Sequence, residues 1–182
     1  MANDWCGANC PIDCDDNLIV VPVFGCESPN DNAITEIFMS NSPLVSGNLT
    51  EWNARLSNSS MDSGTAIRSL TGFDASLPRV DAAFKTTPQG SALPQKTDKV
   101  ITFPIYDDKD SAFDYYKQFQ CGAKKLFWFR SGGHIYGGLD GIEGTIVTSY
   151  EINPDGDNMA HNWQVQVRFT SICFPERTAA VI

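Results

Sequence analysis

Over its second half the chain alternates apolar and polar residues in long, regular stretches. In Val100 to Tyr106, Ile101, Phe103 and Ile105 fall on one face at period two, which predicts a strand. Pro104 cannot donate to a ladder, so that strand is expected at a sheet edge or a bulge. From Ser111 to Gln120 the period changes. Ala112, Phe113, Tyr116 and Phe119 share one helical face. Asp108 or Ser111 is the expected cap, Ser111 and Asp114 have capping-box spacing, and Gly122 is placed to end the helix. Leu126 to Arg130 (L-F-W-F-R) resumes strand character. Ser131-Gly-Gly is a turn signal, and His134 to Tyr136 is the expected return strand of a hairpin. Gly137, Gly138, Gly141 and Gly144 predict a bulge, a tight crossing or a subunit contact. Ile146, Thr148, Tyr150 and Ile152 alternate again. So do Trp163, Val165, Val167 and Phe169, against Gln164, Gln166 and Arg168. These last two strands are expected to pair antiparallel around the turn-rich loop Asn153 to Asn158.

The first half is less regular. Leu18 to Phe24 predicts a strand interrupted at Pro22, and Ala33 to Met39 a second one, closed abruptly by Ser40-Asn-Ser-Pro43. Leu49 to Leu56 predicts a short helix capped by Thr50, with Trp52 and Leu56 as its buried pair. Residues 57–97 are rich in Ser, Thr, Asn, Gly and Pro. They read as a long polar excursion anchored by Ile67, Leu70, Phe73 and Leu77, with 86–95 as an extended loop. Such a loop is uncommon inside a compact enzyme domain, whereas in an assembly a neighbouring subunit can order it. The expected fold is therefore mainly β, a β-sandwich or partly open barrel, with one flanking α-helix and long loops or arms. Residues 1–30 form an acidic, cysteine-bearing N-terminal arm and first strand, and 31–182 a β-rich body.

Charge sharpens this division. The chain of 182 residues carries a formal charge of −9, and its first base is Arg55. Eight acids precede it: Asp4, Asp13, Asp15, Asp16, Glu27, Asp31, Glu36 and Glu51. An acidic channel, a basic partner or simple solvation would each accommodate them. Net acidity argues against a duplex-binding surface, although Lys124, Lys125 and Arg130 are a candidate local basic patch. No apolar run is long enough to span a membrane, and no signal-peptide pattern is present, so the Asn48 and Asn58 sequons are expected to stay unmodified.

Candidate chemistry is sparse. Cys6, Cys10, Cys14 and Cys26 (C-x3-C-x3-C-x11-C) are soft ligands that would suit structural zinc or an iron–sulfur cluster. Disulfides among them, or with Cys121 and Cys173, and free thiols are the other readings. His134 and His161 are the only histidines. Cys121–His134 or Cys173–His161 pairs, oriented by Asp140 or Asp157, would be needed for a thiol enzyme, and no flanking motif supports either. The glycines at 132, 133, 137 and 138 lack a phosphate-loop ending, and neither Asp13 to Asp16 nor Asp155 to Asp157 matches a calcium loop. Asp107, Asp108, Asp110 and Asp114 read as helix-terminus acids rather than a glycosidase pair. Phe127, Trp128 and Phe129 read as core or contact residues rather than a base-stacking platform. No catalytic residue and no cofactor is assigned.

A β-rich body with one good helix, a long polar excursion and an acidic arm resembles the subunits of bacteriophage virions, most nearly small tail-tube or tail-completion proteins. The resemblance spans about residues 18–171 as overall texture, and the cysteine-rich start departs from it. It implies a homo-oligomeric ring or tube, assembled in a host cytoplasm with other virion proteins, whose negative lumen passes DNA without holding it. No membrane is involved. Phe127, Trp128, Phe129, Tyr136 and Trp163 are the expected oligomer interface. A disulfide- or metal-stabilised secreted or surface binding module, and a thiol-dependent enzyme, are the alternatives.

Overall fold

A computed structural model describes residues 33–60, 64–76, 83–89, 92–105, 109–152, 161–171 and 175–182. The chain runs β1 (Ala33–Ser40), α1 (Leu49–Leu56), β2 (Arg68–Ser76), β3 (Ala83–Thr86), β4 (Ala92–Gln95), β5 (Thr97–Ile105), α2 (Asp110–Lys117), β6 (Ala123–Ser131), β7 (His134–Tyr136), β8 (Ile142–Ile152), β9 (His161–Ser171) and β10 (Arg177–Ala179). The fold is mainly β with flanking helices, as the alternation predicts.

Eight strands form one antiparallel sheet. Its long path is β2-β1-β6-β8-β9-β5, and the short strands β7 and β10 continue from the distal part of β6. The sheet curls: β2 and β5, at opposite ends of this path, come within 8 Å between Cα atoms without pairing. Pro104 lies on β5 opposite Gln164, and among the described residues β5 pairs on one side only, which is where a residue without an N–H is tolerated. The β8–β9 hairpin has the expected register, from Gly144 opposite Phe169 to Ile152 opposite His161.

Two apolar cores lie on the two faces of this sheet. The inner one gathers Ile37 and Met39 of β1, Ile101 and Phe103 of β5, Phe127 and Phe129 of β6, and the Trp163–Phe169 stripe of β9. Helix α2 closes it with Tyr116, the turn after the helix adds Phe119, and Phe113 sets its ring against Tyr150 and Trp163, centroids 5.1 and 5.3 Å away. The Thr148 hydroxyl donates to the Tyr116 carbonyl at 2.7 Å and fastens the helix to β8. The outer core holds Phe38, Leu44, Trp52, Ile67, Trp128 and Ile135 beneath α1 and the C-terminal residues. Strand β6 is thus covered on both faces, which is why Phe127-Trp128-Phe129 is an unbroken apolar run rather than an alternation.

Four local expectations change. Helix α1 is capped by Asn48, not Thr50, and the Asn48 side chain accepts from the Glu51 N–H at 2.9 Å. Ser111 lies inside α2, which begins after Lys109 without a side-chain cap, so the Ser111–Asp114 box does not form. The helix ends at Lys117. A turn follows it, and Gly122, at φ 80°, donates to the Phe119 carbonyl at 2.9 Å. Most of all, the polar excursion contains regular structure. β2 pairs with β1, and β3 pairs with β4 in a separate two-stranded sheet. In β2 a buried Leu70 between exposed Ser69 and Thr71 is ordinary half-buried alternation, hidden by the polarity around it.

The glycines after β7 make a tight crossing rather than a bulge. Trp128 lies against them, its Nε1 donating to the Gly138 carbonyl at 2.9 Å. A β-carbon on Gly141 (φ +69°) would stand 2.7 Å from the indole ring, and one on Gly137 (φ +130°) 2.8 Å from it. Only glycine permits both the backbone angle and the approach.

Candidate functional site

Four of the five expected interface residues are buried in the body rather than at a surface. Phe127, Trp128, Phe129 and Trp163 have no solvent exposure, and Tyr136 is half-buried against the inner core. The first four are this chain's own core, because β6 and β9 are central strands with partners on both sides. Cys6, Cys10, Cys14 and Cys26 lie outside the described residues, as do Cys173, Asp157 and the early strand Leu18 to Phe24. Cys121 is an exposed free thiol in the turn after α2. His134 opposes Ser131, at the far end of β6. The length of that strand, about 26 Å at ordinary rise, separates them, so Cys121 and His134 form no dyad. No group of three or more metal-ligating side chains occurs among the described residues, and no helix there is long and apolar enough to cross a membrane. The supposed basic patch is also divided. Lys124 and Lys125 point to opposite sides of β6, and Arg130 pairs with Glu36 of β1 at 3.4 Å.

What the fold does assemble is a groove of about 610 Å³ beside α2. Strand register builds it. Met39 at the end of β1 sits opposite Arg68, the first residue of β2, while Ser40 sits opposite Leu126 of β6, next to Lys125. Arg68 and Lys125 thereby flank the end of β1, although 57 positions separate them in the chain. Met39 and Phe119 supply apolar lining, and Asp114, Tyr115 and Gln118 line the α2 side.

Backbone carbonyls position the guanidinium: Arg68 donates to the Asn58 carbonyl and, at 2.9 Å, to that of Ser60. Lys125 Nζ donates to Asn41 Oδ1 at 2.6 Å. Neither cation is ion-paired among the described residues. Burial, with the neighbouring Tyr116, pushes the Tyr115 phenol up to about 12 against the pull of Arg68, so it stays a neutral hydrogen-bond donor. Two cations against one carboxylate, Asp114, with a phenol and apolar side chains beside them, suit acidic groups carried on a partly apolar stem.

A second acidic feature is internally satisfied. The Glu51 carboxylate accepts from the Val45, Ser46 and Gly47 N–H groups at 2.8–2.9 Å and pairs with Arg55 at 2.7 Å. Burial opposes its charge, but those backbone N–H groups and the Ser46 hydroxyl outweigh it and hold the acid at about 2.

No protein-family model, no curated protein sequence and no solved structure matches this chain.

Proposed function

We propose that the chain is a structural subunit that assembles with copies of itself into a ring or tube, of the kind its sequence resembles in bacteriophage tails. One observation carries this reading: the β3–β4 hairpin forms its own two-stranded sheet, and among the described residues no strand pairing joins it to the eight-stranded body. A lone two-stranded hairpin is marginal in water and gains stability when something packs against it. A neighbouring copy supplies that packing. The body it departs from has two complete cores, so it stands as a rigid scaffold from which such a hairpin can reach. The net charge of −9 suits a lumen that DNA traverses without sticking.

Size-exclusion chromatography with light scattering, followed by negative-stain microscopy, tests it. Closed rings or tubes are the expected result. Replacing residues 83–95 by a short Gly-Ser linker should abolish them while leaving the far-ultraviolet spectrum of the body in place. A chain that stays monomeric at high concentration refutes the reading.

A further inference from the structure

The groove beside α2 has a partner of matching chemistry in the chain itself. Residues 1–32 contain six acids (Asp4, Asp13, Asp15, Asp16, Glu27 and Asp31) and no Lys or Arg. They also carry apolar side chains, among them the run Leu18-Ile-Val-Val and Phe24. The groove offers the complement: Arg68 and Lys125 without a carboxylate partner among the described residues, a neutral phenol at Tyr115, and apolar side chains at Met39 and Phe119. Against the one carboxylate lining the groove, Asp114, the two cations leave it with an excess of positive charge, which in a chain of charge −9 is a local reversal of the field.

We infer that this groove receives the acidic N-terminal segment of a neighbouring copy. The inference rests on the assembly reading above and names the contact that would join one subunit to the next. Direction bears on the choice between a neighbour and the same chain. The groove lies at the Met39–Ser40 end of β1, whereas residues 1–32 join β1 at Ala33. Seven residues of strand separate the two ends, about 23 Å. Asp31 and Glu27, two and six residues before Ala33, span at most about 7 and 22 Å of extended backbone and cannot double back that far, whereas Asp4 to Asp16 of the same chain lie far enough from Ala33 to do so. A neighbour's segment meets no such limit at any of its six acids, and the assembly reading above is what assigns the segment to a neighbour.

The test uses the full chain. Copies labelled with 15N are mixed with unlabelled copies before assembly. The mixture is treated with a water-soluble carbodiimide, which condenses an ammonium in contact with a carboxylate into an amide, the water passing to the carbodiimide. Peptide mass spectrometry then maps the joined pairs. Amides from Lys125 to acids within residues 1–32, in mixed light–heavy pairs, are the expected result. Lys125→Glu should raise the concentration for half-assembly about fivefold, the effect of losing one partly screened ion pair. Lys124→Glu, an exposed change on the opposite side of β6, should leave it unchanged.

Rings without any Lys125 amide would overturn the groove contact and leave the assembly reading standing. Amides confined to like-isotope pairs would overturn the neighbour. A small organic anion co-purifying with the chain, with Lys125 unlinked, would give the groove another occupant and refute the inference. A strictly monomeric chain would refute both readings together.

Discussion

Gly141→Ala should destabilise the body far more than a one-carbon change on a surface loop suggests. Two costs add. The backbone at Gly141 has φ +69°, which an L-residue occupies at a cost of about 1–2 kcal/mol. The new methyl would also stand 2.7, 3.0 and 3.1 Å from Cζ2, Cε2 and Cη2 of Trp128. That indole has little room to retreat. It is fully buried, its N–H is fixed to the Gly138 carbonyl, and Trp52 meets it edge-on at 5.8 Å. Overpacking against such a wall costs about 1–3 kcal/mol, so we expect about 3 kcal/mol in all. Urea unfolding followed by far-ultraviolet circular dichroism reads this without relying on the tryptophans. Gly133→Ala is the control. Its β-carbon would meet nothing within 4 Å, and the change should stay within about 0.5 kcal/mol. The double variant Gly141→Ala/Trp128→Phe isolates the steric part, because phenylalanine lacks the benzo edge that the methyl strikes. It should be about 1–2 kcal/mol more stable than the sum of the single losses predicts. A Gly141→Ala cost below about 0.5 kcal/mol, or strict additivity in the cycle, would refute the claim that this loop is shaped around Trp128.

Three further outcomes concern single side chains elsewhere in the fold. Glu51→Gln should cost about 1–2 kcal/mol, the value of charge-assisted bonds discounted for solvent screening, read as a lower urea midpoint. Because the Glu51 acid is lowered from 4.5 to about 2, its contribution is whole above about 4.5 and fades as pH falls through 2. The variant should therefore lose part of the acid dependence of stability across that window. Tyr115 is raised from 10 to about 12, so the folded form holds its proton longer and its contribution is lost as pH rises from 10 through 12. Absorbance at the tyrosinate band should show one phenol titrating late, and Tyr115→Phe should remove it. Thr148→Val should cost about 1 kcal/mol by deleting the bond to the Tyr116 carbonyl, and hydrogen exchange should speed up in α2 before it does in β8.

Legibility in the sequence followed the kind of force involved. Strands β5, β8 and β9 and the β6–β7 hairpin were readable because each buries a face at period two or turns on adjacent glycines, and both signals are local. The unbroken run in β6 was readable as strand but not as core. A sequence cannot say that α1 and the C-terminal residues cover the Trp128 face while β5 and β9 cover the Phe127 face, so the same aromatics served equally well as a subunit contact. The Asn48 cap was present as N-L-T-E, with Glu51 three residues on, but Thr50 stood nearer the expected first turn.

Strand β2 escaped for a stricter reason. Its Ser69 and Thr71 are exposed on either side of a buried Leu70, so composition outweighs periodicity. The groove could not be foreseen by any local rule. Arg68 and Lys125 acquire a common neighbour only because β1 pairs with β2 on one side and β6 on the other, both close to its last residue. The N-terminal acids, by contrast, were plain from the outset, and what they lacked was a surface to meet. Charge on one segment is visible in a sequence and charge gathered from two distant strands is not. The proposed contact joins one of each kind, and the Lys125 cross-link is therefore the measurement that bears most directly on how this chain builds anything larger than itself.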